Sequence, residues 1–233
     1  MAAVSATIRP VRTALVAGAN GRTGAALVRL LLRSRDYGRV EALTRRPLPL
    51  EHPRLVNRIL KYDELAARLA ATRCDDAFCC LGAARGPRAS AVELRQVDLE
   101  LSLAFARAAR AAGAARLVVI SAAGAARDAR SDFLRAKGEL EAGLRELKFA
   151  TVDILQPGTV VGGRAGAAQE SLRQLLAPLV NLLLVGRLQD ARWIAGPDLA
   201  AAMLGAARGQ RRGINLYAGQ RLRQLTTAGA GAA

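Results

Sequence analysis

"TALVAGANGRTG", Thr13 to Gly24, decides how this chain is read. An apolar run short enough for a buried strand breaks into a turn with glycines at Gly18, Gly21 and Gly24. An amphipathic stretch, "RTGAALVRLLLRS" from Arg22 to Ser34, follows at once. In a strand–turn–helix unit each glycine has a physical reason: a tight turn without a Cβ clash, close approach of backbone to a pyrophosphate, and close packing of helix on strand. The turn and helix start, Asn20, Gly21, Arg22 and Thr23, present N–H groups to an anion. A glycine triplet alone is a weak signal, and its position between a strand and a periodic helix is what points to a dinucleotide.

The same alternation continues along the chain. "RVEALTRR" (Arg39 to Arg46), "LVNRILKY" (Leu55 to Tyr62), "DAFCCLG" (Asp76 to Gly82), "ARLVVISAAG" (Ala115 to Gly124) and "ATVDILQPG" (Ala150 to Gly158) read as further strands. Helical runs lie over "DELAARLAA", over Ala91 to Ala112, and after Ser131, a plausible N-cap. Near-continuous apolar strands joined by helices predict an α/β fold, a doubly wound parallel sheet of extended Rossmann type covered on both faces. The last third is broken by proline and glycine and predicts a small C-terminal cap, with a helix around Gln169 to Val185 and a closing "GINLYAG". One domain over residues 1–233 is expected, with a core at about 13–165, cap and closing elements at about 166–226, and frayed tails at 1–11 and 227–233.

Composition narrows the partners. The 233 residues are 52% hydrophobic and only 3% aromatic, which suits Ala/Leu/Val helices packed on a sheet. The net charge of +16 comes mostly from arginine, since lysine occurs only at Lys61, Lys137 and Lys148. These arginines are dispersed, with no aromatics between them to stack bases, so no specific nucleic-acid partner is expected. Cys74, Cys79 and Cys80 form no disulfide framework, and with His52 the sole histidine there is no ligand set for a metal. "LLAPLVNLLLV", Leu175 to Val185, is far shorter than the ~20 residues needed to span a bilayer, so no membrane span is expected. The N-terminus lacks an apolar leader, from which a soluble cytoplasmic protein is expected.

After the second strand a dinucleotide site normally has a carboxylate for the adenosine 2′-hydroxyl. Here "TRR" stands instead, and the guanidinium groups of Arg45 and Arg46 suit a 2′-phosphate through charge-assisted hydrogen bonds. NADP(H) is therefore expected over NAD(H).

"GANGRTG", "LTRRPL", "FCCLGAARG", "VVISAAGA", "AKGELE", "LKFATVDILQPG" and "DLAAAML" occur in an order and spacing that resembles the Tat-interacting tumour-suppressor family of atypical short-chain dehydrogenase/reductases and its bacterial relatives. The similarity runs from about Ala14 to Leu204. It implies an NADP(H) site with Gly18, Gly21 and Gly24 in the phosphate loop, Arg45 and Arg46 at the 2′-phosphate, and Leu81 and Gly82 beside the ribose. It also implies Ser121 as the active-site serine, Lys137 as the lysine that bonds the nicotinamide ribose, and Pro157 and Gly158 in the turn near the carboxamide. Four positions depart from the pattern. Phe133 stands at the tyrosine of the Tyr-x-x-x-Lys pair, Ala122 at a frequent second serine, Gln156 at a common arginine, and Lys61 near an acidic position.

Phenylalanine has no proton to exchange, and a positioned acid is worth roughly 10²- to 10⁴-fold in rate. Three readings stay open: an NADPH-dependent oxidoreductase acting on a small carbonyl-type substrate, a catalytically degenerate NADP(H)-binding sensor or scaffold, and a basic protein associated with nucleic acid. A homodimer is left open as well.

Overall fold

The computed structural model describes residues 11–61, 64–69, 72–83, 90–161 and 193–231. Its strands are β1 (Arg12–Ala17), β2 (Tyr37–Thr44), β3 (Leu55–Ile59), β4 (Asp76–Cys79), β5 (Arg116–Ile120), β6 (Thr151–Gln156), β7 (Val160–Val161), β8 (Ile194–Ala195) and β9 (Gly213–Ala218). Seven of them form one sheet in the order β3-β2-β1-β4-β5-β6-β9, and every neighbouring pair is parallel. The order reverses between β1 and β4, which is where ligands of such sheets lie, outside the carboxyl ends of the strands. β7 and β8 make a separate parallel pair.

Successive residues of a strand point to opposite faces, and β1 shows the result. Leu15 and Ala17 join one core with Leu43, Cys79, Leu117 and Val119. Ala14 and Val16 join the other with Val40, Ala42, Phe78 and Val118. The first core is covered by α2 (Leu65–Leu69), α4 (Ser102–Ala111), which supplies Phe105 and Ala109, and α5 (Asp132–Arg145), which supplies Leu140 and Leu144. The helical run into α4 begins at α3 (Ala91–Arg95), capped by the Ser90 hydroxyl on the Glu93 N–H. The second core is covered by α1 (Arg22–Arg33) and α6 (Gly196–Arg208). In α1 the spacing of Leu27, Val28 and Leu31 places all three on the sheet while Arg29 and Arg33 face water.

The closing elements depart from the expected cap. "GINLYAG" becomes β9, paired with β6 as the seventh strand of the main sheet. The expected helix over Gln169 to Val185, and with it most of the proposed cap, lies outside the described residues. Residues after Leu225, which carry little to bury, form the end of α7 (Gly219–Ala230). Their smallness is the reason: a Cβ on Gly229 would run into the Ala201 carbonyl, and one on Gly205 into the Leu225 carbonyl. Glycine thus lets the two helix backbones touch. The helix expected over Ala91 to Ala112 is interrupted by a π-helical turn, Gln96–Leu101. Ser131 is the N-cap of α5 by position, but its hydroxyl makes no capping bond.

Two arginine–aspartate pairs tie the C-terminal end of α6 to the amino ends of the strands. Arg12 donates to Asp76 at 2.6 Å and to the Ala207 carbonyl, and Tyr37 also donates to Asp76. Arg116 donates to Asp153 at 2.7 Å and to the carbonyls of Ala206 and Gly209 at the end of α6. Asp153 is fully buried. Burial pushes its carboxyl above the usual range, against the pull of Arg116 and hydrogen bonds from Asn215 and Tyr217. A folded-state pKa raised above the unfolded one gives a stability contribution that is present at low pH and lost as pH rises through the folded value. Without its arginine the carboxyl would sit higher still, so its ionisation would cost most at neutral pH. Arg116→Met should therefore destabilise the fold by about 3–5 kcal/mol at neutral pH. The deficit relative to wild type should shrink toward acid pH, as Asp153 takes up its proton; urea denaturation at the two pH values measures both effects.

Candidate functional site

The first turn is built around contacts that exclude side chains. Gly18 has φ of 80°, and a Cβ there would lie 2.6 Å from the Cys80 carbonyl oxygen. A Cβ on Gly24 would collide with the Gly18 carbonyl. The Gly21 N–H closes the turn on Gly18 at 2.9 Å. Gly21 is also the N-cap of α1 and supplies no side chain to the helix end. Amide groups at that end are thus left for a ligand, and the cradle fits a pyrophosphate.

Asn20 donates from Nδ2 to the Arg46 carbonyl at 3.3 Å, so the phosphate turn and the turn after β2 are joined. Arg45 and Arg46 are both exposed. Arg22 and Thr23 open α1, and Gly196, at the start of α6, packs beside them. Leu81 is buried and Gly82 exposed just beyond β4. Pro157 and Gly158 follow β6, with the Pro157 carbonyl accepting from the Ala123 N–H at 2.8 Å. The expected residues therefore all sit at the carboxyl end of the sheet or the helix starts that face it.

Ser121 directly follows β5, with its N–H on the Leu155 carbonyl at 2.7 Å. Lys137, on α5, is 2% exposed and donates to the Ile120 carbonyl at 3.1 Å. Phe133, one turn earlier, has its ring centroid 6.0 Å from the Lys137 ammonium, so the i to i+4 spacing brings both side chains to one face. That is a weak cation–π contact at the limit of useful range. Gly138, behind the lysine, lies so close to the Ala126 backbone that no side chain would fit.

Three further residues complete the cluster. Asp98, 1% exposed, forms an ion pair with Lys137 at 2.8 Å and accepts from the Ala83 N–H at 3.2 Å. It sits in the π-helical turn, where the Ser102 hydroxyl donates to the Val97 carbonyl at 3.0 Å. Glu141, one turn after Lys137, accepts from the Ser121 hydroxyl in a short hydrogen bond and from Gln156 Nε2 at 2.9 Å. Asp98 and Glu141 were not among the residues singled out from the sequence. Glu141 carried a signal in "KGELE", since i+4 spacing from Lys137 fixes its face; Asp98 carried none, because a single acid in a helical run reads as solvated. Burial opposes ionisation of the nearby thiols, Cys79 and Cys80 above all. They are therefore no nucleophiles.

A family profile described as NAD(P)H-binding matches residues 18–159. The chain is similar to the mitochondrial protein FMP52 of Eremothecium gossypii, at 32% identity over 65% of this chain and 67% of that protein. It is also similar to HTATIP2 of Rattus norvegicus, at 30% identity over 66% of this chain and 64% of that protein. The chain thus spans about two thirds of the length of these relatives. Among solved structures, MoeE5 in complex with UDP-glucose and NAD superposes with a TM-score of 0.65 at 20% identity, covering 94% of this chain and 82% of that one. WbmH of Bordetella bronchiseptica in complex with NAD+ gives 0.65 at 16%, covering 89% and 76%. At these identities the structures support the fold alone.

One expectation is overturned. The FMP52 relatives, including that of Saccharomyces cerevisiae, are named as mitochondrial, which contradicts the cytoplasmic setting read from the N-terminus. An apolar leader is a mark of secretion, and mitochondrial targeting segments are amphipathic and Arg-rich instead, so that reading could not separate the two compartments. With a seven-stranded parallel sheet, a glycine cradle at its switch point and a profile match across both, the chain belongs to the NAD(P)H-binding family, among the atypical short-chain dehydrogenase/reductases that include HTATIP2 and FMP52.

Proposed function

We propose that this chain, working as a single domain, is an NADP(H)-dependent oxidoreductase that interconverts a small carbonyl compound and its alcohol. The observation that carries the reading is the buried Lys137 ammonium, held by Asp98 and the Ile120 carbonyl next to Ser121. Taking an ion pair out of water is costly, and a cation held there is matched to a ribose at the nicotinamide end of a dinucleotide. Gly18, Asn20, Gly21, Arg22, Thr23 and Gly24 would hold the pyrophosphate, Arg45 and Arg46 the 2′-phosphate, Leu81 and Gly82 the ribose side, and Pro157 and Gly158 the carboxamide. The bound cofactor supplies hydride chemistry. The protein's part is to orient the reacting carbon and to handle the proton at its oxygen.

A second reading, a catalytically degenerate NADP(H) sensor or scaffold, is favoured by Phe133. The ring fills the slot of a phenol and leaves the site without the usual proton donor.

NADPH should bind more tightly than NADH. The double variant Arg45→Asp, Arg46→Ser should narrow or reverse the preference, because the guanidinium groups that pair a 2′-phosphate are gone. Equal affinity of the wild type for the two cofactors by calorimetry would remove the NADP(H) assignment.

Phe133→Tyr should raise NADPH-dependent reduction of a reactive dicarbonyl or quinone by about ten-fold or more, up to the ~10²- to 10⁴-fold of a positioned acid. Lys137→Met should weaken NADPH binding. An inactive wild type rescued by Phe133→Tyr supports the degenerate reading, whereas brisk turnover unaffected by that substitution supports an enzyme that moves its proton by another route.

A further inference from the structure

Glu141 is 8% exposed, and its hydrogen-bond partners among the described residues are both neutral, the Ser121 hydroxyl and the Gln156 amide. Among the described residues no cation lies within ion-pair distance of it, since Lys137 is spent on Asp98. A buried carboxyl group with neutral partners, set beside a candidate reaction centre, points to a task.

The direction of its hydrogen bonds says which task. A carboxylate only accepts, and a serine hydroxyl has one hydrogen. With that hydrogen directed at Glu141, Ser121 has only lone pairs left to offer. Ser121 can then accept from a substrate hydroxyl and cannot donate to a carbonyl. The Gln156 amide is oriented by the same carboxylate, so the arrangement is held from β5, α5 and β6 together. Ser121 is itself 1% exposed, at the carboxyl end of β5.

We propose that Glu141 is a positioning residue that sets Ser121 as a hydrogen-bond acceptor, making an alcohol the preferred ligand and replacing the missing phenol as the outlet for its proton. The proposal rests on the oxidoreductase reading above. In the oxidation direction the substrate O–H bond breaks and its proton passes to Ser121 Oγ, while the proton already on Ser121 passes to Glu141. A bound dinucleotide would take up the hydride from the alcohol carbon as the C=O bond forms. Glu141 returns its proton to solvent after the product leaves, and reduction follows the same path backward.

The test uses the full chain saturated with NADP+ and a matched pair of probes, cyclohexanol and cyclohexanone. By saturation-transfer NMR the wild type should retain the alcohol about ten-fold more tightly than the ketone. Glu141→Gln, which keeps size and polarity but can take no proton, should erase or invert that preference. NADP(H) affinity should stay unchanged in this variant, which also shows that the fold is intact. For alcohol oxidation, Glu141→Gln should lower kcat by roughly 10²- to 10⁴-fold with little change in KM, and Glu141→Asp should recover part of it. Equal retention of alcohol and ketone by the wild type, including none of either, overturns the proposal, as does a Glu141→Gln variant with wild-type kcat. Brisk turnover that Glu141→Gln leaves alone sinks this proposal and keeps the oxidoreductase reading. Alcohol selectivity that depends on Glu141 without any turnover keeps the hydrogen-bond assignment and sinks the oxidoreductase reading.

Discussion

A backbone contact with no room for one carbon atom governs this molecule: Gly18, in the left-handed region, lies against the Cys80 carbonyl. That contact brings the turn after β1 over the end of β4, across the point where the strand order reverses. Gly24 then folds α1 back on the same turn. Any side chain at either place would push the helix from the sheet and carry its N-terminal amides away from the position where a pyrophosphate would lie. Asn20 extends the constraint to the turn after β2, so the two arginines there are placed by the same geometry that makes the cradle.

Charge is distributed differently at the two ends of the sheet. At the amino end Arg12 and Arg116 each meet a buried aspartate and the last carbonyls of α6, so the charges serve to close the fold. At the carboxyl end Lys137 meets Asp98, while among the described residues Glu141 meets neutral donors. The first arrangement satisfies every charge with its opposite. The second leaves a carboxyl group in contact with the Ser121 hydroxyl, and such an imbalance is characteristic of functional sites.

The resemblance implies a phenol at the position of Phe133, and phenylalanine carries no proton to exchange. Among the described residues Glu141 is the acid that accepts from the Ser121 hydroxyl, while the buried Lys137 is paired with Asp98.

Much of this was determined by the sequence alone. Glycine spacing after a short apolar strand, and the alternation of apolar strands with periodic helices, sufficed for the parallel sheet and the nucleotide cradle, because both signals depend on local backbone geometry. The i to i+4 spacing of Phe133, Lys137 and Glu141 likewise fixed one helix face. Tertiary structure decided what local pattern cannot encode. "GINLYAG" became the seventh strand because an unpaired edge of β6 was there to receive it. The glycines at the end of α7 became packing residues because a second helix backbone needed their space. Asp98 became the partner of Lys137 only once a π-helical turn and β5 had brought distant segments together, and a lone acid in a helix carries no mark of the cation it will meet.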